Sequence, residues 1–236
     1  MGCDIHAVIE IKDVSTGKWS VVGGMKHDTD DGRDYVSPNK DLFGRNYDLF
    51  AVLADVRNGY GFAGCDTGDP ITPISSPRGV PEDASDDYKK LVEEWDGDGH
   101  SHSYHTLAQL LDYDWTTSKV SRGFVDLKTY WLWSSYGEAD DDSPNEYCGD
   151  ITGPNVCKVT QDEANAILAD APHLYKEKDL WIENNHALTY VKCEWRQPCA
   201  QTCGTAIWYN AIAPMMQLAK QHGGNDNVRL VFFFDN

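Results

Sequence analysis

Between Asp96 and Ser103 the chain reads Asp-Gly-Asp-Gly-His-Ser-His-Ser, two carboxylates and two imidazoles on a backbone loosened by two glycines. Imidazole and carboxylate bind zinc, manganese or iron and move protons near neutral pH. A His pair spaced i,i+2 can aim both rings at one centre. His100 and His102, with Asp98, are therefore candidates for metal ligation or acid–base catalysis, the alternative being a solvated loop whose Asp and Gly residues make turns.

A second group lies at the chain ends. Residues 3–11, Cys-Asp-Ile-His-Ala-Val-Ile-Glu-Ile, alternate so that Asp4, His6, Val8 and Glu10 share one strand face and Cys3, Ile5, Ala7, Ile9 and Ile11 the other. The polar face is either a wet sheet surface or part of a site. Asp235 follows the apolar run Leu230 to Phe234, and antiparallel pairing of the end strands would bring it beside Asp4 and His6. Asp4, His6, His100, His102 and Asp235 form the candidate ligand set for a divalent ion, zinc or manganese, and His6 joins His100, His102 and Asp98 as a candidate catalytic group.

Arginines next to helix starts and glycine-rich loops suit an anion such as phosphate. Arg45 and Asn46 open a helical stretch, Arg57 closes it, and Arg78 lies in a long loop. The competing reading for each arginine is a salt bridge. Seven cysteines with no Cys-x-x-Cys pair indicate free thiols, although Cys193, Cys199 and Cys203 could in principle serve zinc. The EF-hand-like start at Asp28 fails because Gly32 is one place early and no Glu completes the loop.

The elements that position these groups follow from local signals. Asn46 caps a helix over Tyr47 to Val56, closed by Gly59, and Ser85 caps another through Trp95. The His pair then falls on a loop between helices, with Ser103 as the next cap. Residues 15–17 turn the first strand into a partner at Lys18 to Val22, residues 26–44 read as polar loop, and residues 59–84 as a long ordered loop. Further helices are expected at Leu127 to Trp133, after the Thr160-x-x-Glu163 capping box up to Pro172, and over Thr205 to His222 with a kink at Pro214. An acidic loop runs through Asp140 to Asp142. Strands are expected at Ala187 to Trp195 and Val228 to Phe234. The sum is an α+β fold, a mostly antiparallel sheet containing both terminal strands packed with several helices, in a single domain over residues 1–236.

The chain has 38 acidic and 20 basic residues, a formal charge of −18. That excess repels nucleic-acid backbone and anionic lipid, so generic nucleic-acid binding and membrane association are disfavoured. It suits a soluble protein, a cation binder or an acidic mimic of DNA. No apolar run reaches the length of a membrane span, which makes the cytoplasm the expected location.

Taken together, Met1-Gly-Cys-Asp-Ile-His6, the run Gly44 to Gly59, Gly61-Phe-Ala-Gly-Cys65, Pro77-Arg-Gly-Val-Pro81, Asp98 to Ser103 and Val231-Phe-Phe-Phe-Asp-Asn236 resemble a family of bacteriophage and prophage proteins of no known activity. The resemblance implies a phage setting and a host cytoplasm, and says nothing about catalytic roles. Asp98-Gly-His-Ser-His102-Ser also resembles the Asp-x-His-x-His-Ser signature of polymerase-and-histidinol-phosphatase-type metal phosphoesterases. In those enzymes the signature ends the first apolar strand near the N-terminus; here a helix precedes it and no further matching ligand motif occurs.

The expected function is a metal-dependent hydrolase acting on a phosphoester or nucleotide-type substrate. Two alternatives stand beside it: sequestration of a small anionic signalling nucleotide by Arg45, Arg57 and Arg78, and inhibition of a host defence protein through acidic charge.

Overall fold

The alternation at the N-terminus forms strand β1 (Asp4–Lys12), and the Ser15-Thr16-Gly17 turn returns it as β2 (Trp19–Val21). Asp13 closes that turn, its carboxylate accepting from the Ser15 and Thr16 backbone N–H groups at 2.7 and 3.1 Å. The computed structural model describes residues 2–30, 33–136, 143–170 and 188–236. They gather into two compact units, one of Met1–Asn58, Ile71–Trp115 and Ala200–Asn236, the other of Gly59–Pro70 and Thr116–Cys199. The fold class is α+β.

The first unit is built on a four-stranded sheet in the order β2-β1-β9-β5, with β5 at His100–Thr106 and β9 at Val228–Asp235. The two terminal strands pair antiparallel along their length, from Asp4 opposite Asp235 to Ile11 opposite Val228. Val228 to Phe234 are all buried, as a strand flanked on both edges and covered on both faces requires.

One face carries Val8, Val231 and Phe233 against helix α2 (Asp86–Glu94) through Ala84, Tyr88 and Leu91. On the other, helix α1 (Tyr47–Ala54) sets Phe50 on Phe234 with ring centroids 5.0 Å apart. Both helices start where their caps demand: Asn46 Oδ1 accepts from Leu49 N–H at 2.9 Å and Ser85 Oγ from Tyr88 N–H at 3.2 Å. Helix α1 stops at Asp55, in the left-handed region at φ 60°, and not at Gly59.

The structure corrects three sequence expectations in this unit. Residues 26–44 are not simply loop, since Met25–Asp30 and Arg33–Pro38 pair as the hairpin β3–β4. Its strands lack the apolar alternation by which a half-buried strand is read. The His pair lies on β5, not on a loop between helices, because β9 has a second edge whose backbone groups need partners. The cap of helix α3 (Leu107–Asp112) is therefore Thr106 in place of Ser103; Thr106 Oγ1 accepts from Gln109 N–H while Gln109 Oε1 accepts from Thr106 N–H. Near the C-terminus, Ile207–Ile212 is a π-helical stretch and Pro214 sits in the first turn of the helix Ala213–Gln221.

The second unit holds a three-stranded sheet, β6 (Ser118–Asp126), β8 (Thr189–Pro198) and β7 (Cys157–Val159), with β7 parallel to β8. Helices α4 (Leu127–Tyr136) and α5 (Gln161–Asp170) cover it through Leu127, Tyr130, Ala164 and Leu168 against Val125, Val191, Cys193 and Trp195. Thr160 and Glu163 make the expected capping box. The start of the long loop lies on the free edge of β6: Asp69 N–H donates to Val120 and Arg122 N–H to Thr67. Gly68 is obligatory there, at φ 138°, because a Cβ would stand 2.0 Å from the Val120 carbonyl. The Asp140 to Asp142 loop and Pro172 lie outside the described residues.

Candidate functional site

Three strand ends meet where β9 finishes. Asp235 sits opposite Asp4, and its two oxygens are divided: Oδ1 accepts from Asp4 N–H at 3.0 Å and Oδ2 faces His6 Nε2 at 3.3 Å. His6 and Asp235 remain partly open, at 21% and 17% of side-chain area. The His6 ring lies against Trp95, which ends α2, at 4.1 Å between centroids, and stacks on Phe233 at 4.9 Å. These contacts and the carboxylate hold the imidazole in one orientation, as an acid–base group requires.

β5 brings His102 to the opposite side of Phe233, stacked at 5.1 Å, and His100 onto the next ring, Phe234, at 6.1 Å. Phe233 and Phe234 are successive in β9 and face opposite ways, and a register shift between His100 and Ser103 lets the two histidines follow them to different faces of the sheet end. Burial, and then the neighbouring His100, hold the His102 pKa below the usual histidine range. The Nε2 atoms of both rings are buried without a hydrogen-bond partner.

Arginines complete this end. Arg45 donates from Nε and Nη2 to the two oxygens of Asp4, at 3.0 and 2.6 Å, and this pairing lowers the Asp4 pKa. Arg57, itself at φ 56°, reaches Asn236 Oδ1 at 3.2 Å and lies 5.6 Å from the Tyr47 ring centroid. The Cys3 thiol beside it is fully buried, and that burial raises its pKa against the pull of Arg57.

Asp4, His6, His100, His102, Arg45, Arg57 and Asp235 thus come to one sheet end. Three other candidates do not join them. Asn46 is used up as a helix cap, with Nδ2 on the Thr202 carbonyl at 2.9 Å. Asp98 stands exposed in the turn after α2. Arg78 donates to Ser75 Oγ and Gln109 Oε1, both at 3.0 Å, and lies 5.3 Å from the Tyr104 ring centroid in a separate cleft of about 540 Å³.

Among the described residues no group of three or more His, Cys, Asp or Glu side chains is placed to hold a metal ion. The geometry explains this: both Asp4 oxygens are on Arg45, and those of Asp235 are on His6 and the Asp4 backbone. All seven cysteines are thiols, and Cys193, Cys199 and Cys203 are buried, with the Cys193 pKa pushed up to about 12 by burial.

Trp95 and Phe233, which orient His6, escaped the sequence reading. Their signal was only their place at the end of an amphipathic helix and in an apolar strand. His105 is a further histidine of β5 and serves structure. It is fully buried, its Nε2–H donates to the Leu53 carbonyl at 2.6 Å, and burial lowers its pKa to about 4.

No protein-family model, no curated protein and no solved structure matches the chain. No described helix is long and apolar enough to cross a membrane.

Proposed function

We propose that the chain is a phage-encoded protein that works in the host cytoplasm as a hydrolase of phosphoester or nucleotide-type substrates, with its chemistry at the Asp235 end of the terminal-strand sheet. One observation carries this reading: the His6–Asp235 pair, oriented by two rings and left open to water. With Nε2–H donating to Asp235, His6 keeps its lone pair on Nδ1, the arrangement of a general base whose tautomer a carboxylate fixes. That nitrogen takes a proton from the attacking oxygen and returns it to the leaving oxygen. Arg57 and Arg45 bring guanidinium charge suited to phosphate oxygens. A divalent ion would supply an activated water, but His100 and His102 serve different faces of the sheet end and would not hold it together, and the proton chemistry of His6 and Asp235 is independent of it.

The test is turnover on a panel of phosphodiesters, nucleotides and cyclic dinucleotides by wild type, His6→Gln and Asp235→Asn. A loss of 10²–10⁴-fold in both variants is expected for removal of a general base, and unchanged rates would overturn the assignment. Metal content of protein purified without chelator, compared with His100→Ala/His102→Ala, decides whether an ion takes part.

The Arg78–Tyr104 cleft favours a second reading, sequestration of a signalling nucleotide. Binding without turnover is its signature, and a ligand present at 100 Kd would add about 2.7 kcal/mol of stability.

A further inference from the structure

Strand β5 contains a local distortion that the His6–Asp235 chemistry does not use. His100 pairs with Phe234 and Ser103 with Phe232, so three steps along β5 match two along β9 and one extra residue bulges from the ladder. Within that bulge Ser101 takes φ 51°, the left-handed region. Five described non-glycine residues have positive φ, namely Asp55, Arg57, Ala63, Ser101 and Asn155, and Ser101 is the one that lies in a strand.

A non-glycine side chain holds such a conformation only when its surroundings over-determine it, and these positions concentrate at active sites. Bulges likewise re-aim a side chain next to a site. Ser101 is partly exposed, and its Oγ lies 3.0 Å from His100 Nδ1. A hydroxyl within hydrogen-bond reach of an imidazole, on a strained backbone beside a candidate site, is the arrangement of an activated serine nucleophile.

We propose that Ser101 is a nucleophile with His100 as its base, so that the chain attacks the phosphorus of its substrate covalently. This deepens the hydrolase reading and rests on it for the substrate class. In the first step the Oγ–P bond forms, the bond from phosphorus to the leaving oxygen breaks, and the Oγ proton passes through His100 Nδ1 to that leaving oxygen. In the second, water attacks phosphorus, the P–Oγ bond breaks, and His6 Nδ1 takes one proton from the attacking water and returns it to the leaving Ser101 oxygen, restoring the hydroxyl.

Diisopropyl fluorophosphate tests the nucleophile without requiring turnover: Oγ–P forms, P–F breaks, and fluoride leaves with the proton. Wild type is expected to gain one diisopropylphosphoryl group, located on Ser101 by peptide mass spectrometry. His100→Gln is expected to label at least 10-fold more slowly and Ser101→Ala not at all. Ser101→Gly separates strain from folding, since glycine accepts this φ freely; it should melt at or above the wild-type temperature and still fail to label. Absence of an adduct on Ser101, or equal adduct formation in Ser101→Ala, overturns the proposal. If Ser101 labels and no phosphoester turns over, the substrate reading fails and the nucleophile stands. If turnover persists unchanged in Ser101→Ala, the nucleophile fails and the hydrolase reading stands.

Discussion

The β1–β9 ladder carries a pair of ionisable side chains at each end, and the two pairs have opposite fates. At the inner end Glu10 faces Arg229, and both are buried, at 0% and 3% exposure. Arg229 Nε donates to Glu10 Oε2 at 2.8 Å and Nη1 to Asp83 Oδ1 at 2.7 Å, Ser85 N–H donates to Glu10 Oε1 at 2.9 Å, and the guanidinium lies 3.8 Å from the Trp19 ring centroid. That cluster fixes the chain entering α2 to the sheet. At the outer end His6 and Asp235 are open to water and have few partners. On the proposed reading, this difference is what separates a structural ion pair from a chemical one on the same two strands. The buried partners hold the Glu10 and Arg229 side chains in place, whereas His6 and Asp235 keep part of their side chains in reach of solvent.

Breaking each end should therefore fail differently. Asp235→Asn is expected to lower turnover by 10²–10⁴-fold with a urea midpoint close to wild type; a parallel collapse of the fold would make this end structural too. Arg229→Met strands the Glu10 carboxylate and should cost about 3–5 kcal/mol of unfolding free energy in urea, and a loss below about 1 kcal/mol would put the inner pair in the same class as surface ion pairs.

His105 sharpens the comparison through pH. Its pKa falls from 6.5 to about 4 in the fold, so the unfolded chain binds the proton more readily between those values. The contribution is complete above pH 6.5 and disappears as pH falls toward 4, roughly 3 kcal/mol in all from a shift of about 2.5 units at 1.36 kcal/mol each. Urea titrations at pH 4.5 and 7.5 should show that slope shrinking in His105→Gln, with His102 supplying a remainder of the same sign. An identical slope in the variant would sink the assignment. Asn46→Ala should cost about 1 kcal/mol by removing the α1 cap. Arg45→Gln should cost less still, since its pair with Asp4 is half exposed on both sides.

Much of this was legible in the chain because its causes are local or terminal. Caps at Asn46 and Ser85 act on the three following residues, so residue type and position predict them. The Asp4–Asp235 pairing was legible for a different reason: each residue stands at the tip of an apolar terminal strand, and antiparallel pairing aligns such tips. The strand identity of His100-Ser-His-Ser was not legible. Those residues have little intrinsic preference for a strand, and they adopt one because β9 exposes an edge that some segment must satisfy. The β3–β4 hairpin was hidden in the same way, polar throughout and lacking alternation.

The sequence by itself determined which ionisable groups exist, their spacing along β1 and β9, and the aromatic residues available to hold them. Tertiary structure decided which stayed partly open and which became scaffold. Glu10 and His6 share one strand face with identical alternation, yet Arg229, Asp83 and Ser85 close around Glu10 while His6 stays open. Burial and hydrogen bonding are properties of the surroundings, assembled from residues 75 to 219 positions away. No pattern within a single strand encodes them.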